Sequence, residues 1–189
     1  MIDVEIELEG YPFTIPSRFI KNTKVNESID VISASLPIST FSFDVVGYDI
    51  ESALTEAEKL TGETYKIEQN LPISVLKKIN NKFVTIMKMY VKSFQKMGKN
   101  VYHFETYDYV GKLDTLEYRG RFYKHSELED SVNRLLRSTF WDADSSFYDL
   151  EVQGFTPYSN KREALKNLLF AVGGTIDTQQ ITKDVYIKK

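Results

Sequence analysis

The 189-residue sequence contains no cysteine, only two histidines, one tryptophan and five prolines. Without cysteine there are no disulfides and no thiolate zinc sites. Two histidines are too few to build a metal centre without several carboxylates beside them. No uninterrupted apolar run approaches the roughly 18–20 residues of a membrane span. The start, Met1-Ile2-Asp3-Val4-Glu5, has neither a basic segment nor an apolar one, so no signal peptide is expected. Charge of one sign is also scarce, with 24 Lys and Arg against 27 Asp and Glu and a net charge of −3. That balance removes the electrostatic case for a general nucleic-acid binder.

What remains is ordinary for a folded chain: 42% hydrophobic and 27% charged residues. At roughly 150 residues per domain the length holds one domain or two small ones. Aromatics reach 13%, almost all of them the 12 Tyr and 12 Phe. Such a composition favours a β-rich protein that makes surfaces over an enzyme with a crowded polar site.

Residues 3–9 alternate acid and aliphatic, placing Val4, Ile6 and Leu8 on one face and Asp3, Glu5, Glu7 and Glu9 on the other. Period two predicts a half-buried strand with a wet acidic face. Gly10 turns the chain, and residues 11–15 return as a short strand before Pro16. The polar stretch 22–28 reads as a loop. Residues 29–36 and 40–46 are further strands, the second with Phe41, Phe43 and Val45 on one face. At 49–60 the period changes: Ile50, Leu54, Ala57 and Leu60 describe a helix capped by Asp49 and stopped before Gly62. Residues 72–110 read as an antiparallel meander, with a strand 72–76, a turn at 79–82, a long strand 83–94, a turn at 97–100 and a strand 101–110.

After Gly111 the character switches. Ser126 and Glu129 form a capping box for a helix whose apolar residues are Leu128, Val132, Leu135 and Leu136. Residues 147–152 suit a strand broken by Gly154 and Pro157. A second helix, 161–172, is capped by Asn160 with Glu163 three residues later, buries Ala164, Leu165, Leu168, Leu169 and Val172, and stops at Gly173-Gly174. Residues 185–187 make a last strand. The expected class is α+β: an antiparallel β-barrel-like domain over 1–115, followed by a small α/β domain with two helices over 116–189.

No catalytic, cofactor-binding or metal residue is assigned. His103 lies mid-strand and reads as structural, and His125 as a neighbour of a helix start; neither has a Gly-x-Ser-x-Gly serine or a thiol to activate. The run Asp142-Ala143-Asp144-Ser145-Ser146 opens like a calcium loop. It then departs from one, with Phe147 where glycine belongs and Gln153 where glutamate belongs. Glu127, Glu129 and Asp130 read as first-turn acids facing a helix dipole. Gly173-Gly174 follows a helix, whereas phosphate-binding glycines precede one. The tyrosines Tyr102, Tyr107, Tyr109, Tyr118 and Tyr123 suit sheet surface or an interface, and they also supply a second reading as stacking platforms for sugars.

Two stretches carry a resemblance. The first holds Met89-Tyr90-Val91-Lys92-Ser93-Phe94, then Gly98-Lys99-Asn100, then a corner formed by Asp108, Val110, Gly111, Leu113 and Asp114. The second is the helix Arg162-Glu163-Ala164-Leu165-Lys166-Asn167-Leu168-Leu169-Phe170-Ala171-Val172-Gly173. Together, over roughly residues 70–189, they resemble the tail hub proteins of bacteriophages and prophages. The family often has a double glycine before an aromatic where this chain has Tyr118-Arg119-Gly120-Arg121-Phe122-Tyr123, and it usually continues into a second barrel and a C-terminal effector region. By that measure the chain is a truncated or minimal version of the N-terminal part.

The resemblance implies a non-enzymatic structural component without cofactor, linking tail tube to baseplate or tail tip. It implies self-association into a ring, most often a trimer, contact with other tail proteins, and a place in the virion tail after assembly in the host cytoplasm. Val110-Gly111 would form the corner at which the sheet hands over, and Phe170 would reach an interface. The alternatives are a carbohydrate- or cell-wall-binding module using exposed tyrosines such as Tyr107 and Tyr109, and a wall hydrolase using an acidic pair.

Overall fold

In a computed structural model, residues 4–27, 36–137, 142–143, 149–177 and 184–188 are described. They divide into two compact units, one drawn from Met1–Glu27 and Ser39–Tyr109, the other from Ser28–Ile38 and Val110–Lys189. The division is therefore discontinuous, unlike the contiguous one at residue 115: the chain visits the second unit early and returns. The class is α+β, as expected.

The first unit is one antiparallel sheet. Its strands are β1 (Val4–Leu8), β2 (Thr14–Ile15), β3 (Ile20–Asn26), β4 (Thr40–Val46), β5 (Pro72–Ile79), β6 (Lys82–Gly98) and β7 (Val101–Tyr107), in the order β2-β1-β5-β6-β7-β4-β3. The alternating patterns of β1 and β4 do what period two dictates. Val4, Ile6, Leu8, Phe41, Phe43 and Val45 are buried, and the intervening residues are not. The turn between β5 and β6 uses Asn80 and Asn81, both at left-handed φ (49° and 63°), the backbone a two-residue hairpin needs. Among the described residues the sheet does not close into a barrel, because its end strands β2 and β3 each pair on one side only. It does curl. Irregularities at Val75/Leu76, Val91/Ser93 and Lys96/Gly98 add local bend. Val4 of β1 and Val25 of β3 line one cavity, although five strand spacings, roughly 24 Å in a flat sheet, lie between their strands.

Helix α1 (Ile50–Thr61) completes this unit. Asp49 caps it by accepting the Ser52 amide at 3.0 Å, and Gly62 ends it in the left-handed region. Ile50 reaches the core, but Leu60 lies outside the buried stripe at 81% exposure, where the expected apolar face had included it. The polar stretch 22–28, expected as a loop, is strand through Asn26 instead. Its backbone pairs with β4, and every side chain after Ile20 is exposed, so no hydrophobic pattern marks it. The stretch 29–36 falls almost wholly outside the described residues.

The second unit includes α2 (Tyr109–Asp114) from Val110 onward, a short helix where a strand to residue 110 was expected. Gly111 lies inside it and therefore carries no left-handed φ, so its predicted role as a conformational corner is wrong. Next come β8 (Glu117–Tyr118), β9 (Arg121–Glu127), α3 (Leu128–Leu136), β10 (Asp142–Ala143), β11 (Glu151–Thr156), β12 (Ser159–Asn160), α4 (Lys161–Val172), β13 (Thr175–Asp177) and β14 (Asp184–Lys188). Strand β11 pairs with β9, β12 with β8, and β10, β14 and β13 form a three-stranded sheet. Strand β11 starts later than the expected 147–152 and runs through Gly154, which absorbs an irregularity in its register.

Helix α4 obeys its caps: Asn160 Oδ1 accepts the Glu163 amide at 2.8 Å, and Gly173 ends it at φ 67°. Leu128, Val132, Leu135 and Leu136 of α3 and Ala164, Leu165, Leu168 and Leu169 of α4 are buried, as their spacing requires. The Ser126–Glu129 capping box does not form. Ser126 stays in the β9 ladder opposite Val152, and Glu127 takes the cap position without a side-chain bond. The first α3 amide is satisfied instead by the carbonyl of Leu150 at 2.8 Å.

Gly120, between β8 and β9, sits at φ 79° with the backbone of Thr156, Pro157 and Tyr158 against it; a Cβ there would lie 2.9 Å from the Thr156 carbonyl oxygen. Gly120→Ala therefore combines a forbidden φ with a backbone clash and should destabilise the protein by about 1–2 kcal/mol. A urea unfolding midpoint indistinguishable from that of the parent would contradict this.

Candidate functional site

The residues that carried the resemblance can be followed one by one. In the first unit, Asp108 is 5% exposed at the end of β7 and accepts the Ser39 amide at 2.8 Å, while its own amide donates to the Ser39 carbonyl at 2.9 Å. This reciprocal pair pins the chain just before β4. In the second unit, Val110 and Leu113 of α2 are fully buried, which explains two apolar positions of the corner. Asp114, the last residue of that corner, meets Arg162, the first arginine of the helix motif, at 3.0 Å. The same guanidinium donates from Nε, at 2.9 Å, and from a terminal nitrogen to the carbonyl of Leu36.

Two motifs 48 residues apart thus converge on one guanidinium, whose flat fork serves a carboxylate and a backbone carbonyl at once. Asp108 bonds Ser39, Arg162 bonds Leu36, and Asp114 holds the Arg162 guanidinium.

The other candidates are dispersed. His103 faces Asp44 across the β4–β7 ladder, Nδ1 to Oδ1 at 2.6 Å. Hydrogen bonds from His103 and Asn22 hold the Asp44 carboxyl below its ordinary value of 3.8. A lowered folded pKa means the carboxylate form stabilises the fold above that ordinary value, and the contribution fades as pH falls through the depressed one. Asp44→Asn should therefore reduce stability at pH 6 by about 1 kcal/mol. The gap between parent and variant should narrow below pH 3, as read from urea midpoints at the two pH values. A gap that widens in acid would contradict the assignment.

His125 is exposed, at φ 47°, with Glu151 at 3.4 Å. Glu129 and Asp130 lie in the first turn of α3, as expected for acids at a helix N-terminus. Of the calcium-like run only Asp142 and Ala143 are described, as β10; residues 144–148 lie outside the described residues. Among the described residues no group of three or more metal-ligating side chains is assembled, and no helix is long and apolar enough to cross a membrane.

The tyrosines overturn the sugar-stacking arrangement. Tyr102, Tyr107, Tyr109 and Tyr123 are buried and Tyr118 is half-buried. The Tyr107 hydroxyl donates to Asn70 at 2.6 Å, and the Tyr118 and Tyr123 hydroxyls share a hydrogen bond of 2.6 Å. Burial, together with that neighbouring hydroxyl, pushes the Tyr123 phenol well above its usual value. None of the four buried rings offers a free face to a sugar.

What the surface does offer is apolar and unevenly placed. On the second unit Phe122 and Phe155 stand opposite each other on β9 and β11, and Phe170 projects from α4 at 72% exposure. The α4 register puts Leu168 and Leu169 inward, so Phe170 must point away. On the first unit a cavity of about 720 Å³ opens between β3, β4, β1 and the start of β6. Apolar side chains line most of it, including Val25, Phe41, Val75, Ile86 and Met87, and Arg18 and Lys21 stand in its wall. Sequence reading missed it because the lining is assembled from five separate stretches of chain.

No protein-family model matches the chain, and neither does any curated protein. Solved structures do match. The fold is that of two bacterial tail proteins: a tail protein from Neisseria meningitidis MC58, at TM-score 0.57 and 13% identity, and the prophage tail protein gp18 from Listeria monocytogenes EGD-e, at TM-score 0.61 and 11% identity. Each similarity covers 98% of this chain, and 49% and 50% of the respective neighbours. The chain spans about half the length of the solved proteins it matches.

Proposed function

We propose that the chain is a structural, non-enzymatic component of a phage or prophage tail, a hub-like part that links the tail tube to the baseplate or tail tip. The observation that carries this reading is the fold shared with two tail proteins over 98% of the chain. The convergence of Asp114 and Arg162 supports it, because the residues by which the sequence resembles hub proteins are the ones that fix the backbone. In this reading the chain self-assembles into a ring, a trimer by family resemblance. It contacts tail-tube and tail-tip proteins, is assembled in the host cytoplasm and ends in the virion tail. Exposed Phe122, Phe155 and Phe170 supply interface area of the kind such contacts use. Light scattering of the purified chain tests the ring: the expected mass is about three times the 21.9 kDa of one chain. A monomer at every concentration tried contradicts the ring.

A further inference from the structure

The hairpin that joins β5 to β6 differs in charge from the sheet that carries it. Between Glu68 and Glu105 the sequence has lysines but neither an acid nor an arginine. On the body of the sheet these lysines are balanced by carboxylates from elsewhere: Lys88 by Glu9 at 3.3 Å, Lys92 by Glu105 at 3.3 Å and Lys96 by Glu51 at 2.6 Å. At the hairpin end, Lys77, Lys78 and Lys82 form no ion pair with any described residue.

That end also stands clear of its neighbours. The β6–β7 ladder stops at Tyr90–Tyr107, and among the described residues the β1–β5 ladder stops at Val4–Lys77. Every residue from Lys77 to Val84 is exposed, including Ile79, Phe83 and Val84 at 44–48%. Paired residues share a face of the ribbon, so Lys77, Val84, Ile79 and Lys82 lie on one face and Lys78 with Phe83 on the other. Each face therefore carries apolar and cationic side chains together. The Lys78 ammonium lies 5.9 Å from the centre of the Phe83 ring, its stem running beside the aromatic.

We propose that this hairpin end, residues 77–84, inserts into the interface of an anionic lipid surface. Two observations select that partner. Three unbalanced lysines in a chain of net charge −3 call for an anionic one. The apolar side chains call for a medium that surrounds the ribbon: a flat protein surface covers one face and leaves the apolar groups of the other in water, whereas a lipid interface takes up both. Ile79, Phe83 and Val84 enter the acyl boundary, and the lysine stems reach back to headgroup phosphates. From Lys77 to the turn is about 10 Å of ribbon, close to the depth of about 5–10 Å that interfacial elements occupy.

Vesicles with about 30% phosphatidylglycerol, and vesicles of phosphatidylcholine alone, test this on the full chain. Phe83→Trp reports from the hairpin end; Trp141 is common to variant and parent, so the difference between their spectra belongs to position 83. That emission should shift to shorter wavelength with the anionic vesicles and be quenched by brominated acyl chains, and do neither with the neutral ones. Combining Lys77→Gln, Lys78→Gln and Lys82→Gln should lower vesicle affinity at least about 50-fold, at about fivefold per lysine. Ile79→Ser with Phe83→Ser keeps the charge and should lower it at least about fivefold. All these positions are exposed, and unchanged far-ultraviolet circular dichroism checks that the variants fold. No binding to the anionic vesicles overturns the proposal. So does binding that the double serine variant retains in full, which marks the lysines as contacts for any acidic surface, an acidic protein included. The tail reading is tested separately: a chain found in purified tails that ignores vesicles keeps that reading and loses this contact.

Discussion

Phe104→Ala should lower the stability of the protein by about 3–5 kcal/mol. Phe104 is fully buried on β7, directly opposite Phe43 on β4, and the two rings stack at 4.7 Å with only 7° between their planes. Phe94 of β6 closes on the same ring at 4.8 Å, and Phe41 stacks on Phe43 at 5.1 Å. The aromatic row therefore crosses three adjacent strands at the centre of the sheet, and removing Phe104 leaves both neighbours facing a void. The strands on either side are fixed by their ladders, so the void collapses poorly and the loss lies well above that of one transfer term. Phe104→Leu keeps most of the volume and should cost less, about 1–1.5 kcal/mol, the remainder being the lost stacking. Urea unfolding followed by tyrosine fluorescence reads both. A Phe104→Ala loss below that of Phe104→Leu would contradict the packing account.

The second large effect belongs to Arg162. Arg162→Ala removes the ion pair to Asp114 and both donors to the Leu36 carbonyl, leaving a carbonyl and a carboxylate without their shared partner. Charge-assisted bonds of this kind are worth about 1.5–3 kcal/mol, and the loss should fall near the top of that range, about 2–3 kcal/mol. Arg162→Lys restores the charge without the fork and should recover less than half. A double-mutant cycle with Asp114→Ala separates the two roles: a coupling of about 1 kcal/mol or less leaves most of the Arg162 effect with the Leu36 carbonyl. Protease sensitivity near residue 36 in Arg162→Ala, absent in Asp114→Ala, is the expected companion result.

Much of this was legible in the sequence where a local rule and the tertiary fold point the same way. The alternation in β1 and β4 fixed which face is buried, because period two leaves no other choice. Asp49 with Gly62, and Asn160 with Gly173, bounded α1 and α4 within a residue. Failures came where pairing overrode local preference. The polar residues 22–26 make an edge strand because β4 presents a free ladder, and an edge strand needs no apolar face. Ser126 looks like a cap but is claimed by β11. Val110 and Gly111 continue a strand pattern on paper, while the buried Val110 and Leu113 fit one turn of helix instead.

The site was legible in part. Motif resemblance marked Asp114 and Arg162, yet nothing in the sequence marks Leu36, because a carbonyl acceptor has no side-chain signature. The tyrosines misled for the converse reason. Phenol rings suit an exposed platform and a buried, hydrogen-bonded position equally well, and only the register of β7 and β9 tells them apart. The cavity at Val25 and Ile86 is a property of sheet curvature, which depends on where irregularities fall in the ladder rather than on composition.

The central claim is that this chain is a building part of a tail. Its most direct test is quantitative mass spectrometry and antibody-labelled electron microscopy of tails purified from the strain that carries the gene. The account predicts the chain in a fixed, low copy number per tail, three if the ring is a trimer, with label confined to one end of the tube. Its absence from washed tails, with the chain recovered only in the soluble fraction, would contradict it.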